Sequence, residues 1–216
     1  MKNDSALTEA EALEIFGKAN AIVTNGHFIY TSGKHGSAYV NKDAIYPHTH
    51  LISNLCAGLA ERFKDDDIET IVGPAIGGVI LSQWVATHLS TLTGRSVHAV
   101  YAERVEGEFI IKRGYPAFVT GKRILVVEDI VTTGLSARET IEAVRKIGGE
   151  VVAFGALCNR GGVESGPLGN PPRTSYLINL VMDSWDTSEC PMCKAGKEVN
   201  TSLGHGAKFL AEKKKA

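Results

Sequence analysis

Long apolar runs are absent from this sequence of 216 residues, and none approaches the ~20 residues that a membrane-spanning helix needs. The N-terminal segment is charged and amphipathic rather than basic and then apolar, so we expect no signal peptide. An excess of charge of one sign is also missing, because 24 Asp and Glu residues balance 23 Lys and Arg residues. We therefore expect no binding to nucleic acid or to membranes, and any anion site has to be built locally.

Cysteine is scarce, with four residues in the chain. Cys56 and Cys158 lie in apolar surroundings that are typical of free thiols, which favours a reducing, cytoplasmic location. Cys190 and Cys193 have the spacing of half a zinc site, and the later residue that could add a ligand is His205. The sequence leaves open whether this pair binds zinc or forms a plain surface turn, so no metal ligand is assigned to a protein side chain.

What the sequence does contain is a series of short apolar runs without polar alternation, separated by helical patterns of ten or more residues. Such runs are typical of parallel strands that are buried on both faces. The pattern predicts a doubly wound α/β fold with a mostly parallel sheet of five strands. The predicted strands are 69–73, 97–101, 123–128, 150–157 and 175–181, and the predicted crossover helices include 78–92 and 136–147.

The remaining segments have weaker patterns. A first helix is expected to end near Ala19, and a second one to cover 51–63. The run 27–41 mixes apolar and turn residues, which predicts two short strands that are joined by a glycine-rich turn and are not part of the core. Segment 102–122 carries charges of both signs and is expected to form a mobile loop or a hairpin. Segment 183–206 shows little periodicity.

Acidic and hydroxyl side chains follow the strand 123–128. Glu128 and Asp129 end this strand, and 132–136 reads Thr-Thr-Gly-Leu-Ser at the start of a helix. Buried carboxylates need partners such as sugar hydroxyls or a metal ion, and a helix N-terminus with a nearby glycine favours a phosphate dianion. The order of these groups predicts a ribose-5-phosphate site, while an ordinary turn whose hydroxyls cap the helix is the alternative.

A second glycine-rich turn, 73–78, lies between a predicted strand and a predicted helix. Its backbone N–H groups could hold another anion, because this is also a helix N-terminus. Taken alone, such a turn is weak evidence for phosphate binding.

The segment VVEDIVTTGLSA resembles the phosphoribosyl pyrophosphate (PRPP) motif of type I phosphoribosyltransferases. The resemblance implies that Glu128 and Asp129 contact the ribose hydroxyls. It implies that the 5-phosphate is surrounded by Thr132, Thr133, Gly134, Leu135 and Ser136. It also implies a pyrophosphate loop with a non-proline cis peptide at Ala75-Ile76, formed by Ala75, Ile76, Gly77 and Gly78.

Within this family the sequence is most similar to the orotate-specific branch of prokaryotes, on the segments FIYTSGKH, GPAIGGVIL and YAERVEGEFIIKRGY and on Trp185 with CPMC. This similarity implies a single domain, 1–216, with a small hood built largely from the N-terminal segment, to which 1–50 and the C-terminal segment contribute. The residues implied in base binding are Phe28, Thr31, Ser32, Gly33 and Arg160. An arginine on an exposed glycine-rich turn is the alternative for Arg160.

The implied reaction transfers phosphoribosyl from PRPP to orotate and gives orotidine 5-phosphate and pyrophosphate, in the biosynthesis of UMP. Mg²⁺ is expected as the cofactor, held through the substrate, and a homodimer is expected, with the charged loop reaching the neighbouring site. The implied catalytic residues are Asp129, Arg104, Lys112 and Arg113. A salt-bridged, exposed hairpin is the alternative for the loop.

Two departures from the family pattern matter, because Thr31 and Gly77 stand where lysines are common. The alternatives for the whole chain are transfer to a purine or another base, and a regulatory binding protein of the same fold without catalysis.

Overall fold

The computed structural model describes residues 7–30 and 32–213. The chain divides into two compact units, the first made of 7–15 with Thr49–Leu180, and the second of Phe16–His48 with 181–213. Whether the second unit is the hood of the implied single domain stays a prediction. Among the described residues, no helix combines the length and the apolar character needed to cross a membrane.

The helices and strands are numbered in chain order. The helices are α1 (Glu9–Lys18), α2 (Thr49–Glu61), α3 (Gly77–Thr93), α4 (Leu135–Lys146), α5 (Pro191–Lys194) and α6 (Gly206–Lys213). The strands are β1 (Ile22–Val23), β2 (Phe28–Ile29), β3 (His35–Gly36), β4 (Tyr39–Val40), β5 (Thr70–Pro74), β6 (His98–Val105), β7 (Glu108–Ile110), β8 (Arg123–Val131), β9 (Glu150–Asn159) and β10 (Thr174–Asn179).

The first unit contains a six-stranded sheet in the order β10-β9-β8-β5-β6-β7. Five of these strands are parallel, and β7 pairs antiparallel with β6. All five residues of β5 are buried, as expected for the centre of a sheet that helices flank. The predicted five-stranded parallel sheet is confirmed, and β7 is an addition to it.

Two strands extend three or more residues beyond the ends of their apolar runs. β8 continues to Val131 because its partner β9 pairs with it as far as Val131↔Asn159. The acidic pair therefore lies inside a paired strand, and not at its last residue. β6 continues to Val105 because β7 pairs back onto it, so 103–110 is a hairpin.

The second unit contains two small antiparallel ladders. β2 pairs with β3 around a turn in which Gly33 has φ +81°, which confirms the predicted pair of short strands. The expectation that these strands are not part of a core is wrong, because Phe28, Ile29 and His35 are at most 2% exposed. Short strands are buried here because α6 packs against β2, and Phe209 of α6 lies edge-on to His35 with the ring centroids 5.0 Å apart.

The four cysteines are all free thiols. Burial raises the pKa of Cys158 to about 12 and also raises the pKa of Cys56, so these two behave as small apolar side chains. Cys190 is fully buried, so the alternative of a plain surface turn is wrong for this residue.

Gly73 and Gly78 allow β5 and α3 to meet at close range. A Cβ on Gly73 would lie 2.2 Å from the carbonyl oxygen of Gly78, and a Cβ on Gly78 would lie 2.8 Å from the backbone of Gly73. Both obstacles are backbone atoms, which cannot rotate away as a side chain can. The turn between strand and helix therefore depends on both glycines.

We expect Gly73→Ala to lower the free energy of unfolding by at least about 2 kcal/mol, because the new methyl group forces β5 and α3 apart. Urea unfolding of the purified protein measures this change. Gly166→Ala is the matched control, since nothing lies within 4 Å of its Cβ position, and we expect a change within about 0.5 kcal/mol. Equal stability of the two variants would contradict the packing argument.

Candidate active site

Two acidic side chains are buried near the carboxyl end of β8. Glu128 is 8% exposed and Asp129 is 3% exposed. Oε1 of Glu128 accepts the backbone N–H of Asp129 at 3.2 Å, and Oδ1 of Asp129 accepts the N–H of Ile130 at 2.6 Å. Buried carboxylates are costly unless polar groups or cations satisfy them. This end of β8 is therefore suited to a ligand that offers hydroxyl groups or a cation.

The turn between β8 and α4 forms a pocket. Its lining consists of Glu128 together with every residue from Ile130 to Ala137. Gly134 has φ +80° and is the N-cap of α4, and Oγ1 of Thr133 accepts the N–H of Leu135 at 3.4 Å. The first N–H groups of α4 have no partners four residues earlier in the helix, so they form a favourable place for a phosphate. The binding of a ribose 5-phosphate at this turn stays a prediction.

The turn that follows β9 contacts this pocket. The N–H of Arg160 donates to the carbonyl of Val131 at 2.8 Å, and its guanidinium donates to Oγ1 of Thr132 at 3.0 Å. A Cβ on Gly161 would lie 1.7 Å from the carbonyl oxygen of Thr132, so the close approach requires glycine here. The sequence alone did not indicate this contact, although the paired glycines of CNRGG are a signal for close backbone approach. The contact of Arg160 with a base stays a prediction.

The second glycine-rich turn joins β5 to α3. The Ala75-Ile76 peptide bond is cis, which confirms this expectation. Ile76 is 82% exposed and is the N-cap of α3, and no side chain caps this helix. The N–H of Ala75 donates to the carbonyl of Ala102, while Gly77 and Gly78 begin the helix. The arrangement is a second helix N-terminus at which backbone groups can bind an anion.

The charged segment is a hairpin with ion pairs. Its two-residue turn has Glu106 at φ 50° and Gly107 at φ 92°, as in a type I′ turn. Arg104 stacks on Phe109, with Cζ 4.3 Å from the ring centroid, and its Nη2 lies 2.5 Å from Oε2 of Glu139 on α4. The segment therefore has the hairpin that was one of its two expected forms, and its cations are in ion pairs, while a catalytic part for these cations stays a prediction.

The other two loop cations share one carboxylate. Arg113 and Lys112 lie 3.2 Å and 3.5 Å from Oε1 of Glu103. The hydrogen bond from Arg113 and the charges of both cations lower the pKa of Glu103, which in turn raises the pKa of Arg113. Glu103 and Arg113 are therefore charged at neutral pH, and their shared carboxylate holds Arg113 and Lys112 next to each other.

The residues implied in base binding belong to the second unit, except for Arg160. Phe28 is fully buried and packs against Tyr39, with the ring centroids 5.5 Å apart. Ser32 and Gly33 are exposed in the turn, and Thr31 lies outside the described residues. Their contacts with a base stay a prediction.

Comparison with known proteins agrees with this geometry. A family model for the phosphoribosyl transferase domain matches residues 42–174. The chain belongs to the phosphoribosyltransferase family.

Curated relatives narrow the class of phosphoribosyltransferase, and a solved structure shares the fold. An orotate phosphoribosyltransferase of Pelotomaculum thermopropionicum is 40% identical and one of Desulforamulus reducens is 35% identical, each over 88% of this chain and 94% of the relative. A crystal structure of Mycobacterium tuberculosis orotate phosphoribosyltransferase in complex with PRPP has the same fold, with a TM-score of 0.58 and 20% identity, over 78% of this chain and 89% of the other.

We expect Gly161→Ala to weaken PRPP binding about tenfold or more, because its methyl group displaces the carbonyl of Thr132 and with it the pocket. Titration calorimetry with PRPP measures the dissociation constant. Gly166→Ala, in the following loop, serves as the control and should bind as the unmodified protein does. A Gly161→Ala protein that is folded and binds PRPP with unchanged affinity would refute this packing role.

Proposed function

We propose that the protein is an orotate phosphoribosyltransferase, which converts orotate and PRPP to orotidine 5-phosphate and pyrophosphate in the biosynthesis of UMP. The observation that carries the proposal is the pocket between β8 and α4, where buried carboxylates adjoin exposed hydroxyls and a helix N-terminus. The relatives that bear this name match the chain over nearly their whole length.

In this proposal, the ribose and its 5-phosphate bind along one turn. The carboxylates of Glu128 and Asp129 accept hydrogen bonds from the ribose hydroxyls, which repay part of the cost of their burial. The 5-phosphate lies at the start of α4, where it meets backbone N–H groups and the hydroxyls of Thr132, Thr133 and Ser136. The exposed side chains of this turn support the assignment, because they are accessible to a ligand.

The pyrophosphate group binds at the start of α3, at the turn of Ala75, Ile76, Gly77 and Gly78. No lysine lies in this turn, so backbone N–H groups carry the interaction there. Mg²⁺ is the proposed cofactor, held through the oxygen atoms of the substrate, which are the hard ligands that suit it. When bound, Mg²⁺ supplies positive charge to the diphosphate and ribose oxygens.

Arg104, Lys112 and Arg113 are the proposed source of further positive charge on the leaving pyrophosphate. These cations now pair with the carboxylates of Glu139 and Glu103, and in the proposal they pair with oxygens of the pyrophosphate instead when substrate binds. A closed loop would also exclude water from the reacting sugar carbon. We propose that the protein works as a homodimer in the cytoplasm and that the hairpin acts at the neighbouring subunit's site.

Orotate is proposed as the base on chemical grounds. Ionised orotate is itself the nucleophile, so the protein has to position the reactants and stabilise charge, and needs no covalent nucleophile. A guanidinium fork suits a planar carboxylate, which orotate has and the purine bases and uracil lack. Arg160 is the proposed partner of this carboxylate, and Ser32 and Gly33 are proposed to contact the base.

We expect the purified protein to release pyrophosphate from PRPP with orotate and Mg²⁺, and to do so much more slowly with uracil, adenine, hypoxanthine or xanthine. A coupled assay for pyrophosphate with each base measures this preference. Activity with a purine and none with orotate would refute the choice of base. Tight PRPP binding without pyrophosphate release from any base would instead indicate a regulatory binding protein.

We expect Arg160→Ala to raise the Michaelis constant for orotate about tenfold or more and that for PRPP much less, because only orotate loses its ionic partner. Steady-state kinetics with each substrate varied in turn measures both constants. Arg138→Ala removes an exposed arginine of α4 that pairs with Glu142, and it should change neither constant. Equal effects of Arg160→Ala on both substrates would assign Arg160 to the phosphate pocket through its contact with Thr132.

Asp129→Asn tests the ribose contact in the same assay. This substitution keeps the shape of the side chain but removes the negative charge, so we expect it to lower kcat/KM for PRPP by at least about a hundredfold. Retention of near-normal kcat/KM in this variant would contradict the part proposed for Asp129.

A further inference from the structure

Four side chains that bind metals well lie together in the second unit. They are His27 and His35, from the β2–β3 region, and Cys190 and Cys193, from the CPMC segment. One nitrogen or sulfur atom of each lies within 4.8 Å of the corresponding atoms of the other three. His205, the residue that sequence spacing indicated, does not belong to this group.

The separations of these atoms are close to those of a tetrahedral zinc site. With Zn–S near 2.3 Å and Zn–N near 2.05 Å, a tetrahedron gives S···N of about 3.6 Å and N···N of about 3.3 Å. Sγ of Cys190 and Sγ of Cys193 each lie 3.7 Å from Nε2 of His27, and Sγ of Cys193 lies 3.3 Å from Nδ1 of His35. The two ring nitrogens are 2.9 Å apart and need to separate by about 0.4 Å to fit.

The outer nitrogens of both imidazole rings have hydrogen-bond partners. Nδ1 of His27 lies 2.8 Å from the carbonyl oxygen of Lys197, which can only accept, so this nitrogen carries the proton and Nε2 keeps its lone pair. Nε2 of His35 lies 3.1 Å from Oγ1 of Thr187, which leaves Nδ1 directed at the cluster. Such partners fix the tautomer and the ring orientation of histidines that bind metals.

The local structure of the CPMC segment also holds the two cysteine side chains in place. The CPMC segment begins the short helix α5, and the backbone N–H of Cys193 donates to Sγ of Cys190 at 3.4 Å. The two sulfur atoms lie within 4.8 Å of each other, as two ligands of one metal ion must. Cys190, His27 and His35 are buried, while Cys193 is partly exposed, so an ion could enter from that side.

We propose that His27, His35, Cys190 and Cys193 bind a structural zinc ion. Two thiolates with two imidazoles in a closed tetrahedron are the ligand set of structural zinc sites, whereas Mg²⁺ prefers oxygen. The site leaves no coordination position for a substrate, so its part is structural. It is separate from the Mg²⁺ of the proposed reaction and does not depend on that reaction.

The proposed ion would join two parts of the chain that are more than 150 residues apart. The second unit has at most about 70 residues, and a single core of this size rarely supplies more than about 3–5 kcal/mol of stability. Metal binding contributes directly to the folding free energy in such cases. The zinc ion would therefore hold the CPMC segment to the β2–β3 hairpin.

Metal analysis of untagged protein tests the proposal. We expect about one zinc ion per chain by mass spectrometry of the native protein and by elemental analysis. Cys190→Ser and His27→Ala should each lower the bound zinc at least tenfold. The matched controls are Cys56→Ala, a buried thiol outside the cluster, and His205→Ala, and both should keep the full amount of zinc.

X-ray absorption at the zinc edge tests the ligands without any substitution, so it is decisive even if a variant fails to fold. We expect two sulfur ligands near 2.3 Å and two nitrogen ligands near 2.0 Å. Protein without zinc, a zinc ion without sulfur ligands, or loss of zinc in His205→Ala but not in Cys190→Ser would overturn the proposal. A Cys190–Cys193 disulfide, detected as a mass lower by about two hydrogens, would overturn it as well.

Discussion

The cost of burying two neighbouring carboxylates within an apolar strand governs the architecture around β8. Backbone N–H groups approach Glu128 and Asp129, and a polar turn adjoins them, which lowers the cost of their burial. That turn needs Gly134 at positive φ to start α4 at once, and it needs Gly161 to let the next turn approach Thr132. The polar turn that adjoins the buried carboxylates thus depends on two glycines, at which the backbone turns sharply or approaches closely.

The central sheet and the pocket could be predicted from the sequence because their signals are local. Apolar runs without alternation mark the parallel strands, and the order of acids, hydroxyls and glycine marks the turn after β8. The ends of β6 and β8 could not be found in this way, because they depend on pairing with β7 and β9. Strand pairing is a tertiary property, and it extended both strands through polar residues.

Contacts between segments that are far apart in the chain could not be predicted from the sequence either. Spacing along the chain suggested His205 as a partner for Cys190 and Cys193, whereas the structure brings His27 and His35 to them. No periodicity connects residues so far apart. The same holds for Arg160, whose guanidinium contacts Thr132, since the pattern of residues placed Arg160 after a strand but did not indicate its neighbour in the turn after β8.

The division of the chain has a consequence for the order in which the protein forms during synthesis. The second unit is assembled from two segments that flank almost the entire first unit. On the ribosome, β2 and β3 emerge early, but their partners α5 and α6 emerge only after every strand of the central sheet has been made. The buried face of the β2–β3 hairpin therefore stays incomplete while the central sheet is made, and the growing chain has to keep this apolar surface from aggregating until α5 and α6 have emerged.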